Sequence, residues 1–186
     1  MWLMKQFLLS FYEVAEVVVI SLFTVFVIRT YLVQPFLVSG ASMEPNFQNG
    51  NYLLIDELSY RFKEPARGEV VVFKYPGDKK TYYIKRIIGL PNEHLVIKDG
   101  SVKIYNVANP EGLSLQEAYL PKDVKTLGAN DVTLGGDQYF VMGDNRYYSF
   151  DSRNWGAVAR DEIVGITRLR LLPISAAQAF AAPAYQ

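Results

Sequence analysis

The chain has 186 residues, half of them apolar, and its 19 Lys and Arg balance its 19 Asp and Glu. That length fits one compact domain with a small appendage, and the balanced charge marks neither nucleic acid as a partner nor an acidic solvating tail. There is no cysteine and one histidine, His94. Disulfides, a thiol nucleophile and thiolate zinc sites are thereby excluded, and no metal or cofactor is expected.

In chain order, the first element is the apolar run FLLSFYEVAEVVVISLFTVFVI, residues 7–28. As a helix it would extend roughly 33 Å at about 1.5 Å per residue, close to the hydrocarbon thickness of a bilayer. Glu13 and Glu16 interrupt it near its start, three apart and so on one helical face. The run predicts a single membrane span within an anchor over 1–30. A cleaved signal peptide is the rival reading, with Ser39 and Ala41 as small residues before a cut. Gln34-Pro35-Phe36 intervenes, and the apolar run is long for that role.

After residue 35 the texture changes to short strands separated by turns. NYLLIDELSY follows the turn Asn49-Gly50, and PARGEVVVFKYP turns at Arg67-Gly68. TYYIKRIIGL ends at Gly89 and Pro91. EHLVIKDGSVKIYN predicts a hairpin turning at Asp99-Gly100. DQYFVMGDN and EIVGITRLRLL complete the pattern. Residues 107–136 have few apolar pairs and read as a looser insertion. The expected fold is mainly β, an antiparallel sheet or barrel-like domain over 31–173 behind an N-terminal transmembrane helix. The Ala-rich end, 174–186, reads as a flexible tail; its Ala177-Gln178-Ala179 has the form of an A-x-A cut site.

GASMEP, residues 40–45, displays a hydroxyl just beyond the apolar run. A serine is a weak nucleophile until a base takes its proton. His94 begins a strand after a Pro turn, the setting of a half-exposed surface residue. Gly40-Ala41-Ser42-Met43-Glu44 also ends in Glu where a nucleophile elbow needs Gly. Lys85 is the other candidate base. It sits mid-strand in TYYIKRIIGL, where period-2 alternation puts Tyr83, Lys85 and Ile87 on one face. Covering that face would strip water from the amine and lower its pKa. The pattern alone leaves two readings open, a base or a snorkelling lysine.

Three stretches carry a resemblance: SGASMEP (39–45), YIKRIIGLP (83–91) and GDNRYYSFDSRNWG (143–156). In this order behind an N-terminal apolar run, they resemble the conserved boxes of the bacterial type I signal peptidases, and the likeness extends over about 29–172. The resemblance implies a membrane-anchored Ser–Lys serine endopeptidase. It would cut signal peptides with small residues at −3 and −1 from exported preproteins, on the outer face of the cell membrane. Ser42 would be the nucleophile and Lys85 the general base. Ser149 would hydrogen-bond and orient the lysine amine. Asp151 and Arg153 would form a structural ion pair, and Asp144, Asn145 and Arg146 would shape the floor of the site. The oxyanion would rest on the Ser42 N–H and the neighbourhood of Gly40, where some relatives have a serine. Phe36, Val38, Tyr83 and Ile84 would wall two shallow pockets. Main-chain pairing with substrate would come from strands near 83–87 and 141–144. Asn92-Glu93 departs from the family's usual Gly-Asp, and the Glu pair in the span is atypical. The implied partners are signal peptides and the lipid bilayer, with no nucleic acid. Two alternatives stay open: a self-cleaving Ser–Lys repressor-type protease, and a membrane-anchored β module without catalysis.

Overall fold

The computed structural model describes residues 2–31 and 33–181, and between residues 2 and 33 the side chains of 6 and 10–26 only. Residues 182–186 of the expected tail lie outside the described residues. Helix α1 runs Trp2–Tyr31 and contains the whole of the expected span. Its apolar side chains, Phe11, Val17, Leu22, Phe23 and Phe26 among them, are exposed. Among the described residues no helix is long and apolar enough to cross a membrane. Glu13 and Glu16 lie within α1.

Among the described residues twelve strands follow: β1 Val33–Leu37, β2 Tyr52–Asp56, β3 Val70–Lys74, β4 Tyr82–Gly89, β5 His94–Lys98, β6 Ser101–Asn106, β7 Asn109–Ser114, β8 Asp131–Thr133, β9 Gln138–Met142, β10 Val158–Ala159, β11 Ile163–Leu172 and β12 Gln178–Ala179. All pairings are antiparallel. One sheet is ordered β1-β2-β11-β3-β4-β9-β10, with β12 on β11, and the other β7-β6-β5-β8. The expected antiparallel class is the one observed, with the main sheet running in an open order. Pro35 is accommodated because β1 is an edge strand, where a missing N–H breaks no inner ladder.

The turn at Asp99-Gly100 forms as the two residues demand, both with positive φ, joining β5 to β6 at Lys98 and Ser101. Strand β4 is buried from Lys85 to Gly89 because both its faces are covered. Ile87 packs with Val71, Phe73 and Val141, while Ile88 joins Leu95, Phe140 and Met142 between the two sheets.

Three expectations are corrected. Residues 107–136 are not simply loose, since β7 and β8 are the edge strands of the second sheet. Their apolar pattern is weak because edges are half-solvated, and β7 carries Pro110 and Gly112. The C-terminal segment is not a free tail: Gln178 and Ala179 pair with Arg170 and Leu169 of β11, and Phe180 packs against the core. Finally, the 141–144 stretch offers no free edge. Val141 and Met142 pair with Ile87 and Arg86, and the Gly143 N–H donates to Asp151 Oδ2.

Candidate active site

Ser42 stands on the loop that closes the β1–β2 hairpin. The ladder continues past Leu37–Tyr52 to Val38, whose N–H donates to Asn51 O (2.9 Å) while Gly50 N–H donates to Val38 O (2.9 Å). Residues 40–49 are therefore pinned at both ends. Within the loop, Phe47 N–H donates to Met43 O, and Met43 and Phe47 are buried, so the turn is anchored from beneath. From the side, Asn145 N–H donates to Ser42 O (3.0 Å) and Asn145 Nδ2 to Ala41 O (3.0 Å). Gly40 adopts φ +92°, a region that suits glycine. Its N–H donates to Asn49 Oδ1 at 2.9 Å, so this amide is already engaged.

Lys85 lies across from this loop on β4. Its Nζ is 2.8 Å from Ser42 Oγ and donates to Ile84 O at 2.9 Å; the residue is 4% exposed. Burial lowers its pKa from 10.5 to about 8, against the opposing pull of the Asp151 and Asp144 carboxylates. Tyr83 places its ring 5.4 Å from the same amine. The arrangement sets a hydroxyl beside an amine that gives up its charge near neutral pH.

The stretch after β9 builds the floor. Asp144 accepts from Arg86 Nε (2.8 Å), Arg86 Nη2 (2.6 Å) and Asn46 Nδ2 (2.8 Å). Asp151 and Arg153 meet through two contacts of 2.9 Å each, and Asp151 also caps the short helix α2, Ser152–Trp155. The Arg146 guanidinium is fully buried and is held by Glu117, Thr126 and Tyr119. Glu117 and Tyr119 were invisible to sequence reasoning because they lie in the weakly patterned stretch and act through a distant ion pair.

Ser149 is close, but its expected contact is not made. Its Oγ is buried and has no hydrogen-bond partner. Gly143 explains the crowding: a Cβ there would lie 2.2 Å from Ser149 Oγ and 2.3 Å from Ser42 O. Only a glycine lets the two segments approach this closely.

One apolar cleft contains both reactive groups, with the four expected wall residues, Phe36, Val38, Tyr83 and Ile84, among its lining. Leu53, Val72, Tyr82, Tyr148 and Phe150 also line it and were not anticipated. Leu53 was legible as the β2 partner of Phe36, whereas Tyr148 and Phe150 reach the cleft only through tertiary folding. His94 is on the second sheet, half-exposed and 2.7 Å from Asp131. Among the described residues no group of His, Cys, Asp or Glu is suited to hold a metal ion.

The profile of the family described as signal peptidase, peptidase S26, matches residues 11–172. Signal peptidase I P of Bacillus subtilis subsp. natto is 34% identical over 169 residues, 86% of this chain and 88% of the relative. Signal peptidase I V of Bacillus subtilis strain 168 is 41% identical over 142 residues, 70% of this chain and 81% of the relative. A crystal structure of a signal peptidase I from Enterococcus faecalis V583 has a TM-score of 0.47 and 29% identity, covering 56% of this chain and 97% of that one. The family profile and the two Bacillus relatives define a peptidase. The chain belongs to the signal peptidase family, peptidase S26. Since His94 faces solvent away from the cleft, His94→Ala is expected to change peptidase activity by less than about twofold, as for other surface substitutions. A peptide-cleavage assay at pH 8 checks this.

Proposed function

We propose that this protein is a serine endopeptidase that removes signal peptides from exported preproteins, with Ser42 as nucleophile and neutral Lys85 as general base. The observation that carries the reading is the 2.8 Å approach of Ser42 Oγ to a buried amine with a pKa of about 8. Ser42 Oγ attacks the scissile carbonyl carbon and its proton passes to Lys85 Nζ. The ammonium then gives that proton to the leaving amine, and an acyl-enzyme ester remains. Water attacks the ester, Lys85 takes a proton again, and Ser42 is restored as the new carboxyl end departs. The Ser42 N–H is the backbone donor for the oxyanion, because the Gly40 N–H is occupied by Asn49. Ser149 is assigned to the ammonium: its buried, unpartnered hydroxyl can accept from Nζ once the lysine is charged. Asp151–Arg153 and Asp144–Arg86 hold the floor.

Substrate enters as an added strand. Strand β9 pairs with β4 only from Arg86 onward, so on that side 82–85 have no strand partner among the described residues. Phe36, Val38 and Ile84 form shallow apolar walls suited to small side chains at −3 and −1, with Tyr83 beside the amine.

Residues 1–30 are assigned as a single-pass membrane anchor and 31–173 as the catalytic domain on the outer face. The support is the length of α1 and its exposed apolar side chains. Anchoring enzyme and preprotein in one bilayer raises their effective concentration.

The test is to incubate the detergent-solubilised full chain with a preprotein carrying Ala at −3 and −1, then sequence the new N-terminus. Cleavage directly after −1, lost when −1 is replaced by Phe, is expected. No cleavage, or cleavage that persists unchanged in Ser42→Ala, overturns the reading.

A further inference from the structure

The matched family region ends at residue 172, but the ordered chain continues behind the nucleophile loop. After Pro173, a turn of 3-10 helix over Ile174–Ala176 reverses the chain so that Gln178 and Ala179 pair with Arg170 and Leu169. Phe180 N–H then donates to Arg168 O (2.8 Å), and its ring reaches 4.6 Å from that of Phe47. Phe47 is the buried residue whose N–H closes onto Met43 O, next to Ser42. The second tie is Arg170. Its guanidinium donates to Ala176 O (2.6 Å) and Gln178 Oε1 (3.1 Å) on the C-terminal side, and to Asn46 O (2.8 Å) and Asn51 Oδ1 (3.2 Å) on the loop side. The same cation stands 5.4 Å from the Phe180 ring. One aromatic ring and one guanidinium thus couple residues 174–180 to the loop that carries the hydroxyl.

We infer that residues 173–180 are a positioning strap for the nucleophile loop, with Phe180 as its anchor. The inference rests on Ser42 being the nucleophile. Met43 and Phe47 are held from below by core and strap together, which fixes the height of Ser42 against Lys85. A loop relaxed by a fraction of an ångström loses rate steeply, because attack needs near-contact geometry. The substrate walls Phe36, Val38 and Ile84 share the apolar cluster in which Phe180 packs, but the ring contact of Phe180 is with Phe47 of the loop, so the loop is the part that loosens most.

The experiment compares the full-length protein with Phe180→Ala and Phe180→Leu. Phe180→Ala is expected to lower kcat about tenfold with KM changed less than about twofold, and Phe180→Leu to restore most of the rate. In the same protein, amide exchange at Glu44 and Phe47 should quicken about tenfold while Leu95 and Ile97 in β5 stay protected. Unchanged kcat, or faster exchange spread evenly over both sheets, overturns the strap. Ser42→Ala is assayed in parallel. If it retains activity, the nucleophile assignment has failed, and local exchange at 44 and 47 still decides whether the strap holds the loop.

Discussion

Ser42→Ala and Lys85→Met are each expected to lower kcat/KM for preprotein cleavage by at least about 10³-fold, and the double variant is expected to lose little more than either alone. Groups that act as one unit are strongly non-additive, because removing either partner disables the other. The amine's environment sets the pH dependence. At pH 7 a lysine with a pKa of about 8 is neutral roughly a tenth of the time, while an ordinary one near 10.4 is neutral about four times in ten thousand. Desolvation thus supplies a gain of more than two orders of magnitude in the reactive form. The profile of kcat/KM reports the free enzyme. It should rise with pH through about 8 and level off above, since the base works deprotonated. A rising limb near 10.4 would mean that the amine is hydrated in solution. Single variants whose losses multiply in the double variant would mean that the two groups act separately.

The elements that sequence reasoning reached share a property: their signal is local. Asp99-Gly100 makes its hairpin because both residues tolerate positive φ. The alternation around Lys85 identified a strand, and coverage of both faces from residue 85 onward rules out a snorkelling lysine. The three quoted stretches stood out because each, read as a contiguous run, resembles a conserved box of the signal peptidases. What escaped was set by partners distant in sequence. Glu117 meets Arg146 across a stretch with little hydrophobic period, so nothing near it announced a buried ion pair. Phe180 looked like part of an alanine-rich tail until Phe47, over a hundred positions earlier, gave it a surface. The contact expected between Ser149 and the lysine amine also depends on long-range placement, and the hydroxyl stands buried without it. The anchor lies between these cases. Its apolar run predicted a long helix, and the helix is present, but a run of apolar residues does not by itself identify the solvent around it.

Lys85→Met should also make the folded protein more stable at neutral pH, by about 1 kcal/mol. The amine's pKa lies near 8 in the fold and near 10.4 in the unfolded chain. A difference of about 2.5 units at 1.36 kcal/mol each gives a penalty of about 3 kcal/mol for burying the charged group. Loss of the hydrogen bonds from Nζ to Ser42 Oγ and Ile84 O takes back about 1 kcal/mol apiece, and methionine fills a similar volume. Below pH 8 the lysine is protonated in both states and the penalty is complete. Between about 8 and 10.4 the unfolded chain binds more protons than the folded one, so the wild type gains stability as pH rises. Above that range both states are neutral and the penalty is gone. The advantage of Lys85→Met should therefore be largest at pH 7 and fade by pH 10.5. Thermal melts should show a rise of roughly 2–4 °C at pH 7. A variant less stable than wild type at pH 7, or a gap that does not change with pH, would show that the amine is not desolvated. An inactive but sturdier protein is the expected outcome because the burial that weakens the fold at Lys85 is the same burial that lowers the amine's pKa beside Ser42.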